Sequence, residues 1–241
     1  MSLYRDEGIV LRTIKLGEAD RIVTIFTLGH GRIRAVAKGI RKTTSKFGAR
    51  LEPASHVALQ CYKGRELDVV TQTETIHANR ELREGYGLLV HAVPMLEAVD
   101  QVAQEREPNP ALFRMLAGAL RALGDSCSPL VTPAFFWKLL SLEGFHPVLD
   151  QCAHCGDEPD HTRVVVFDLH EGGVLCTGCA HAGGRAVSPE AFALLERVLG
   201  GGIRGVLAED VATPTASEVE RLAVAAMEHH LERRLRSAAL L

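Results

Sequence analysis

From Tyr4 to about Ile76 the chain runs in short β-branched or alternating segments, each closed by a glycine-bearing turn. Ile22-Val23-Thr24-Ile25-Phe26-Thr27 stops at Gly29-His30-Gly31, and Arg32-Ile33-Arg34-Ala35-Val36-Ala37 alternates polar and apolar residues up to Lys38-Gly39. Val57–Tyr62 meets Glu66–Val70 across Lys63-Gly64-Arg65, the pattern of a hairpin. With an opening strand near Gly8–Lys15, this predicts five strands in roughly 75 residues, which fits a small closed barrel. An OB-fold is the leading candidate, and a five-stranded SH3-like barrel would give almost the same pattern.

The period changes near Asn79. Leu112, Met115, Leu116, Ala119, Leu120 and Leu123 recur at helical spacing, and Pro108, Pro110, Ser128-Pro129 and Thr132-Pro133 punctuate the helices. A cysteine-rich insert follows. Ser188-Pro189-Glu190 then opens a helix with Ser as N-cap and Pro at its first position, Gly200-Gly201-Gly202 ends it, and a last amphipathic helix is predicted from Ser217 to about Ser237. The expected architecture is α+β and multidomain. It comprises a nucleic-acid-binding barrel over 1–79, a first helical part over 80–145, a four-cysteine module over 146–187 and a second helical part over 188–241.

Cys152-Ala153-His154-Cys155-Gly156 and Cys176-Thr177-Gly178-Cys179 form two C-x2-C knuckles. Two knuckles supply the tetrahedral thiolate set that zinc takes, so Cys152, Cys155, Cys176 and Cys179 are the expected ligands of a structural Zn2+. Gly156 and Gly178 are expected to provide backbone freedom where the knuckles turn. Paired redox dithiols are the competing reading, but there is no thioredoxin-like βαβ context. Four thiolates fill the shell, so His154, His161, His170 and His181 read as bystanders and the metal as a holder of the fold. Cys61 and Cys127 read as packing residues. The opening residues carry early acids and no apolar core, unlike a signal peptide. No apolar run approaches the roughly 20 residues of a membrane span. The expected location is cytoplasmic, and nucleoid-associated if the basic segment described below meets DNA.

Composition is that of an ordinary globular protein, 46% hydrophobic and 24% charged, with a net charge of −3. That average hides an asymmetry: residues 1–80 hold 14 Lys+Arg against 8 Asp+Glu, and the rest 13 against 22. No acid lies between Asp20 and Glu52, a window that contains Arg32, Arg34, Lys38, Arg41, Lys42 and Lys46. Such a run is expected to hold a polyanion, most readily a nucleic-acid backbone, by phosphate neutralisation and therefore in a salt-sensitive way. A solvated charged face is the competing reading. The stretch from Lys38 to Lys46 reads as a mobile loop, and Phe47 and Tyr62 are the available stacking surfaces. Gly200-Gly201-Gly202-Ile203-Arg204-Gly205 spells a dinucleotide fingerprint but follows a helix instead of a strand, so it reads as a helix stop. No phosphate-binding G-x-x-x-x-G-K-[ST] and no acid–base spacing occurs, so no enzymatic site is expected.

The basic N-terminal segment carries Gly8-Ile9-Val10-Leu11, Glu18-Ala19-Asp20-Arg21 and Lys38-Gly39-Ile40-Arg41-Lys42. Phe135-Phe136-Trp137-Lys138-Leu139-Leu140-Ser141-Leu142-Glu143-Gly144-Phe145-His146-Pro147 runs towards the first knuckle, and Phe167-Asp168 and Gly172-Gly173 precede the second. This resembles the bacterial recombination mediator family RecO over essentially the whole chain. The resemblance implies an OB-fold, a helical domain and a zinc finger. It also implies binding to single- and double-stranded DNA, with Arg32, Arg34, Lys38, Arg41, Lys42 and Lys46 as the DNA contacts, annealing of complementary strands and action with RecR. Loading of RecA onto DNA coated by single-strand-binding protein follows from it too, with no nucleotide hydrolysis. One of Phe135, Phe136 and Trp137 is expected to line a groove for the C-terminal tail of single-strand-binding protein, against the simpler expectation that all three are core. An RNA-binding or transcription-associated adaptor and a thiol-redox enzyme are the competing functions.

Overall fold

A barrel forms because the N-terminal alternation puts one apolar row inside each of five strands. A computed structural model describes residues 2–45, 47–84, 87–158, 164–201, 203–209 and 211–241. Strands β1 (Leu3–Leu16), β2 (Asp20–Thr27), β3 (Gly31–Ala37), β4 (His56–Tyr62) and β5 (Asp68–His77) close in the order β1-β2-β3-β5-β4, an OB-like barrel. A register shift between Val10 and Arg12 bends β1, so its first half pairs with β4 and its second half with β2. Val23, Ile25, Ile33, Ala35, Val57 and Val70 point inward and are buried. The turn expected at Lys63–Arg65 is wider: β5 begins only at Asp68, whose carboxylate accepts the Gly64 amide at 2.8 Å.

The chain divides into two compact units, Met1–Asp125 with Ala239–Leu241, and Ser126–Ala238. The first joins the barrel to helices α1 (Arg80–Glu84), α2 (Leu88–Val102) and α3 (Pro110–Ser126). Leu112, Leu116, Leu120 and Leu123 are buried along α3 as their spacing predicts. The connection between α2 and α3 behaves as a strap on the barrel. Arg32 N donates to Gln104 O at 3.2 Å and Arg106 N to Arg32 O at 3.0 Å, alongside a bridge of Arg32 with Glu105. Gly31, at φ +64°, lies under this strap, where an added Cβ would stand 2.1 Å from Glu107 O.

The second unit contains helices α4 (Val131–Leu142), α5 (Pro189–Leu199), α6 (Ile203–Leu207) and α7 (Thr213–His230). Strands β6 (Val165–Asp168), β7 (Gly173–Leu175) and β8 (Arg185–Val187) form a sheet in the order β7-β6-β8. Ser188 caps α5 by accepting the Ala191 amide at 3.2 Å, and its hydroxyl donates to Glu218 of α7 at 2.7 Å. Helix α7 starts earlier and stops sooner than its pattern predicts. Pro214 lies in its first turn, and Glu232 turns to φ +50° beyond its end. Helix α4 is apolar nearly all round, and Phe135, Phe136 and Trp137 are all buried, Trp137 also at the wall of a cavity in this unit. Among the described residues no helix is long and apolar enough to cross a membrane.

Candidate nucleic-acid interface and metal centre

Alternation along β3 places Arg34 on the outer face, opposite Thr24 of β2, with Ile33 and Ala35 turned into the core. Lys38, Arg41 and Lys42 follow on an exposed turn. That turn is held in place at several points. Gly39 N donates to Asp20 Oδ1 at 2.7 Å, Arg41 N to Ala19 O at 3.0 Å and Arg41 Nη1 to Gly17 O at 3.2 Å. Ile40 and Phe47 are buried in the barrel core at either end of it. Phe47 is therefore no stacking surface, a correction to the sequence expectation, whereas Tyr62 is 42% exposed. The loop carries cations on a fixed frame because its apolar residues anchor it. Lys46 lies outside the described residues.

Arg32 faces the same side as Arg34 but is already engaged. Its Nη1 donates to Asp100 O at 2.8 Å and Oδ1 at 3.1 Å, and Arg12 Nε reaches the same carboxylate at 2.5 Å. Arg21 pairs with Glu52 at 2.8 Å. Among the described residues no carboxylate pairs with Arg34, Lys38, Arg41 or Lys42. Most acids of the barrel have local partners: Asp6 accepts His30 at 2.5 Å and Glu7 accepts His56 at 2.6 Å. Burial lowers the pKa of the His56 imidazole although Glu7 works the other way.

The four cysteine sulfurs lie within 4.8 Å of one another. Each knuckle closes on its own backbone: Gly156 N donates to Cys152 O at 2.9 Å and Cys179 N to Cys176 O at 3.1 Å. Ala153 N donates to Val174 O at 2.8 Å, which fixes the first knuckle to β7. Gly156 sits at φ +81° as expected, but Gly178 has no positive φ, so its place in the knuckle needs no such freedom. The Cys155 and Cys176 sulfurs are 3.6 Å apart. A tetrahedron with metal–sulfur bonds of about 2.3 Å has edges of about 3.8 Å, so the set fits a thiophilic tetrahedral ion. Burial disfavours a charged Cys152, yet the amides of Cys155, Cys176 and His154 bring its thiol down to about 6. Cys155 is pushed up to about 12: the Asp157 amide favours its thiolate, but the Cys152 sulfur outweighs it. A cation among the sulfurs would relieve this competition. His154 contacts Glu171 at 3.3 Å and His181 contacts Asp168 at 3.2 Å, which leaves both outside the thiolate set. His170 packs against His229, and His161 lies outside the described residues.

The family described as "Recombination protein O N terminal" matches residues 1–79, and "Recombination protein O C terminal" matches residues 83–239. This chain belongs to the RecO family. Three relatives described as "DNA repair protein RecO" are each 43% identical to it. The Thermobifida fusca protein aligns over 100% of this chain and 98% of its own length. That of a Nocardioides species aligns over 98% of both. The Cutibacterium acnes protein aligns over 100% of this chain and 99% of its own length. The RecO family is thus one of DNA repair proteins, and the match takes in the barrel, the helices and the cysteine cluster alike.

One feature of this RecO chain, the ion pair at Asp68, carried no sequence signal, whereas the cavity beside Trp137 lies at a residue the sequence singles out. Asp68, fully buried, receives Arg106 through Nη1 at 3.1 Å and Nη2 at 2.8 Å, and Tyr4 through its hydroxyl. Burial alone would raise the Asp68 carboxyl, but Arg106, Tyr4 and the Gly64 amide hold it below the usual range. Cys61 beside them is pushed up to about 12 by burial. In the second unit a cavity of about 450 Å³ is lined by Trp137, Phe145, Phe167, His170 and His229 among others. Trp137 Nε1 is buried there with no hydrogen-bond partner among the described residues, and Phe145 is 58% exposed.

Proposed function

We propose that this chain is a non-catalytic DNA repair and recombination mediator. It binds single- and double-stranded DNA, anneals complementary strands and, with RecR, helps load RecA onto DNA coated by single-strand-binding protein. The observation that carries the reading is the edge of cations on the barrel, Arg34, Lys38, Arg41 and Lys42, with which no carboxylate pairs among the described residues, in a chain that belongs to RecO over its full length. Lys46 extends that set in sequence. Arg32, bound to Asp100, contributes by holding β3 to α2 and can add charge only from behind that bond. Cations on a rigid surface lower the repulsion between two phosphate backbones, which lets complementary strands meet without ATP.

Zn2+ is the ion best matched to Cys152, Cys155, Cys176 and Cys179, and it fixes the β6–β8 module. The cavity beside Trp137 and Phe145 is the place in the helical unit where an apolar tail residue of single-strand-binding protein would seat. The protein acts in the cytoplasm, at the nucleoid. Annealing of fluorescent oligonucleotides across a salt series without ATP tests the whole reading. Replacing Lys38, Arg41 and Lys42 by Ala should slow annealing and flatten the salt slope by about 0.7 per lost single-strand contact. An unchanged slope would remove the cationic edge from the mechanism.

A further inference from the structure

The cavity beside Trp137 has two kinds of wall. Its floor is helical, with Trp137 and Leu140 from α4 and Ala226, His229 and His230 from α7. Its other side is made by two stretches outside the helices, residues 144–148 and 169–172. Each of these runs into one half of the cysteine cluster. Cys152 follows Val148 by four residues, and Cys176 follows Gly172 by four. Between the cavity and the cysteines the two stretches are bonded to each other. Val148 N donates to Gly172 O at 3.0 Å, Val174 N to Val148 O at 2.9 Å and Ala153 N to Val174 O at 2.8 Å. Leu149, Cys152, Val174 and Leu175 along this junction are all buried, and a Cβ at Gly173 would stand 2.4 Å from Val148 O. The second knuckle adds another link: His181, two residues past Cys179, contacts Asp168 at 3.2 Å. Asp168 Oδ1 in turn accepts the His170 and Glu171 amides at 2.8 and 2.9 Å, which shapes the turn that faces the cavity.

Where the two stretches meet the helices, they do so through rings. Phe145 and His230 have centroids 4.1 Å apart, His170 and His229 4.6 Å, and Phe167 and Trp137 5.8 Å. Ring contacts are individually weak, so the position of the stretches over the floor depends on how firmly their far ends are joined. Those far ends are the two knuckles, and one ion shared by all four sulfurs joins them. We infer that the metal at Cys152, Cys155, Cys176 and Cys179 governs the cavity. With the ion bound, residues 144–148 and 169–172 form one lip over α4 and α7; without it they part, and the cavity loses that wall. Binding in the cavity and retention of the ion are therefore coupled, and each strengthens the other by the same factor. The inference rests on the two assignments made above, Zn2+ to the cysteines and an apolar tail residue to the cavity. A terminal carboxylate beside such a residue would also supply the acceptor that Trp137 Nε1 lacks among the described residues.

The test uses the full-length, reduced protein, with Trp137, the one tryptophan of the chain, as reporter. Its emission and its quenching by acrylamide are measured with Zn2+ bound, after a chelator has removed it and after Zn2+ is restored. Circular dichroism follows the helices throughout. Removal should red-shift the emission and raise quenching at constant helix content, and added Zn2+ should reverse both. A synthetic peptide of the C-terminal tail of single-strand-binding protein should bind the Zn2+-loaded form about tenfold tighter than the stripped form. In competition with a chromophoric chelator the peptide should raise Zn2+ affinity by that same factor. Emission and quenching that ignore complete removal of Zn2+ would overturn the coupling, as would equal peptide affinity for the two forms. A protein that shows the quenching change but binds no peptide would support the coupling and end the tail assignment alone. Failure of the wild type to hold Zn2+ would end the metal assignment and the inference with it. Should removal of Zn2+ unfold the helices, Gly173→Ala decides, because its Cβ parts the two stretches at Val148 while all four thiols remain. That variant should keep Zn2+ yet show raised quenching; wild-type quenching in its Zn2+-loaded form would overturn the coupling.

Discussion

Removing Arg106 should leave a fully buried carboxylate without its cation. Asp68 has no exposed surface, whereas the Arg106 side chain keeps 27%. Loss of one partner from a buried pair costs about 3–5 kcal/mol. Water at the exposed flank of Arg106, and the donors left to Asp68 by Tyr4 and Gly64, place Arg106→Ala at the lower end, about 3 kcal/mol. Arg106 also sits at φ +63°, a left-handed conformation that only glycine adopts without cost. Arg106→Gly should therefore be about 1 kcal/mol more stable than Arg106→Ala, although it removes the same charge. Urea unfolding at neutral pH measures both. The sign of the pH effect follows from the depressed carboxyl. In the wild type the Asp68 contribution is complete above the ordinary carboxylate range and is lost as pH falls through its lower folded value. The gap between wild type and Arg106→Ala is thus widest near neutrality and closes in acid. A loss below about 1 kcal/mol at pH 7, or a gap independent of pH, would refute the reasoning.

Chelation should release one Zn2+ per chain and make the four ligand thiols reactive, while buried Cys61 stays silent to thiol reagents until the barrel unfolds; a colorimetric metal and thiol titration reads both. Ser188→Ala removes the cap of α5 and leaves Glu218 without its hydroxyl donor, and should cost about 1–2 kcal/mol by thermal or chemical unfolding. Gly31→Ala combines a left-handed φ with a Cβ driven into Glu107 O, and should cost well over about 1 kcal/mol, with the loss appearing in barrel stability.

Local chemistry was legible in the sequence, and distant pairing was not. Alternation found all five barrel strands because inward and outward residues differ in polarity at period two, and the paired knuckles found the metal set because spacing alone brings the sulfurs together. Ser188-Pro189 marked a helix start for the same local reason. Arg32 read as a free cation because its partner, Asp100, lies far along the chain on α2. Phe47 read as a stacking residue because a short polar loop gives no sign that its last aromatic folds back into the core. Asp68 and Arg106 were silent for a related reason: a buried ion pair leaves no periodic trace, and Arg106 belongs to a stretch with neither helical nor strand rhythm.

The strap has a consequence for how the N-terminal fold comes into being. Residues 104–106 cover the part of β3 that β5 leaves bare, so a chain cut after the last barrel strand would carry an open edge and an unneutralised Asp68. Bare strand edges recruit other chains. All five strands precede in the chain the segment that seals them, so that edge and the Asp68 carboxylate keep their partners only once residues 104–106 are in place. The smallest autonomous piece of this end of the molecule therefore extends past the strap, well beyond the strands that define its shape.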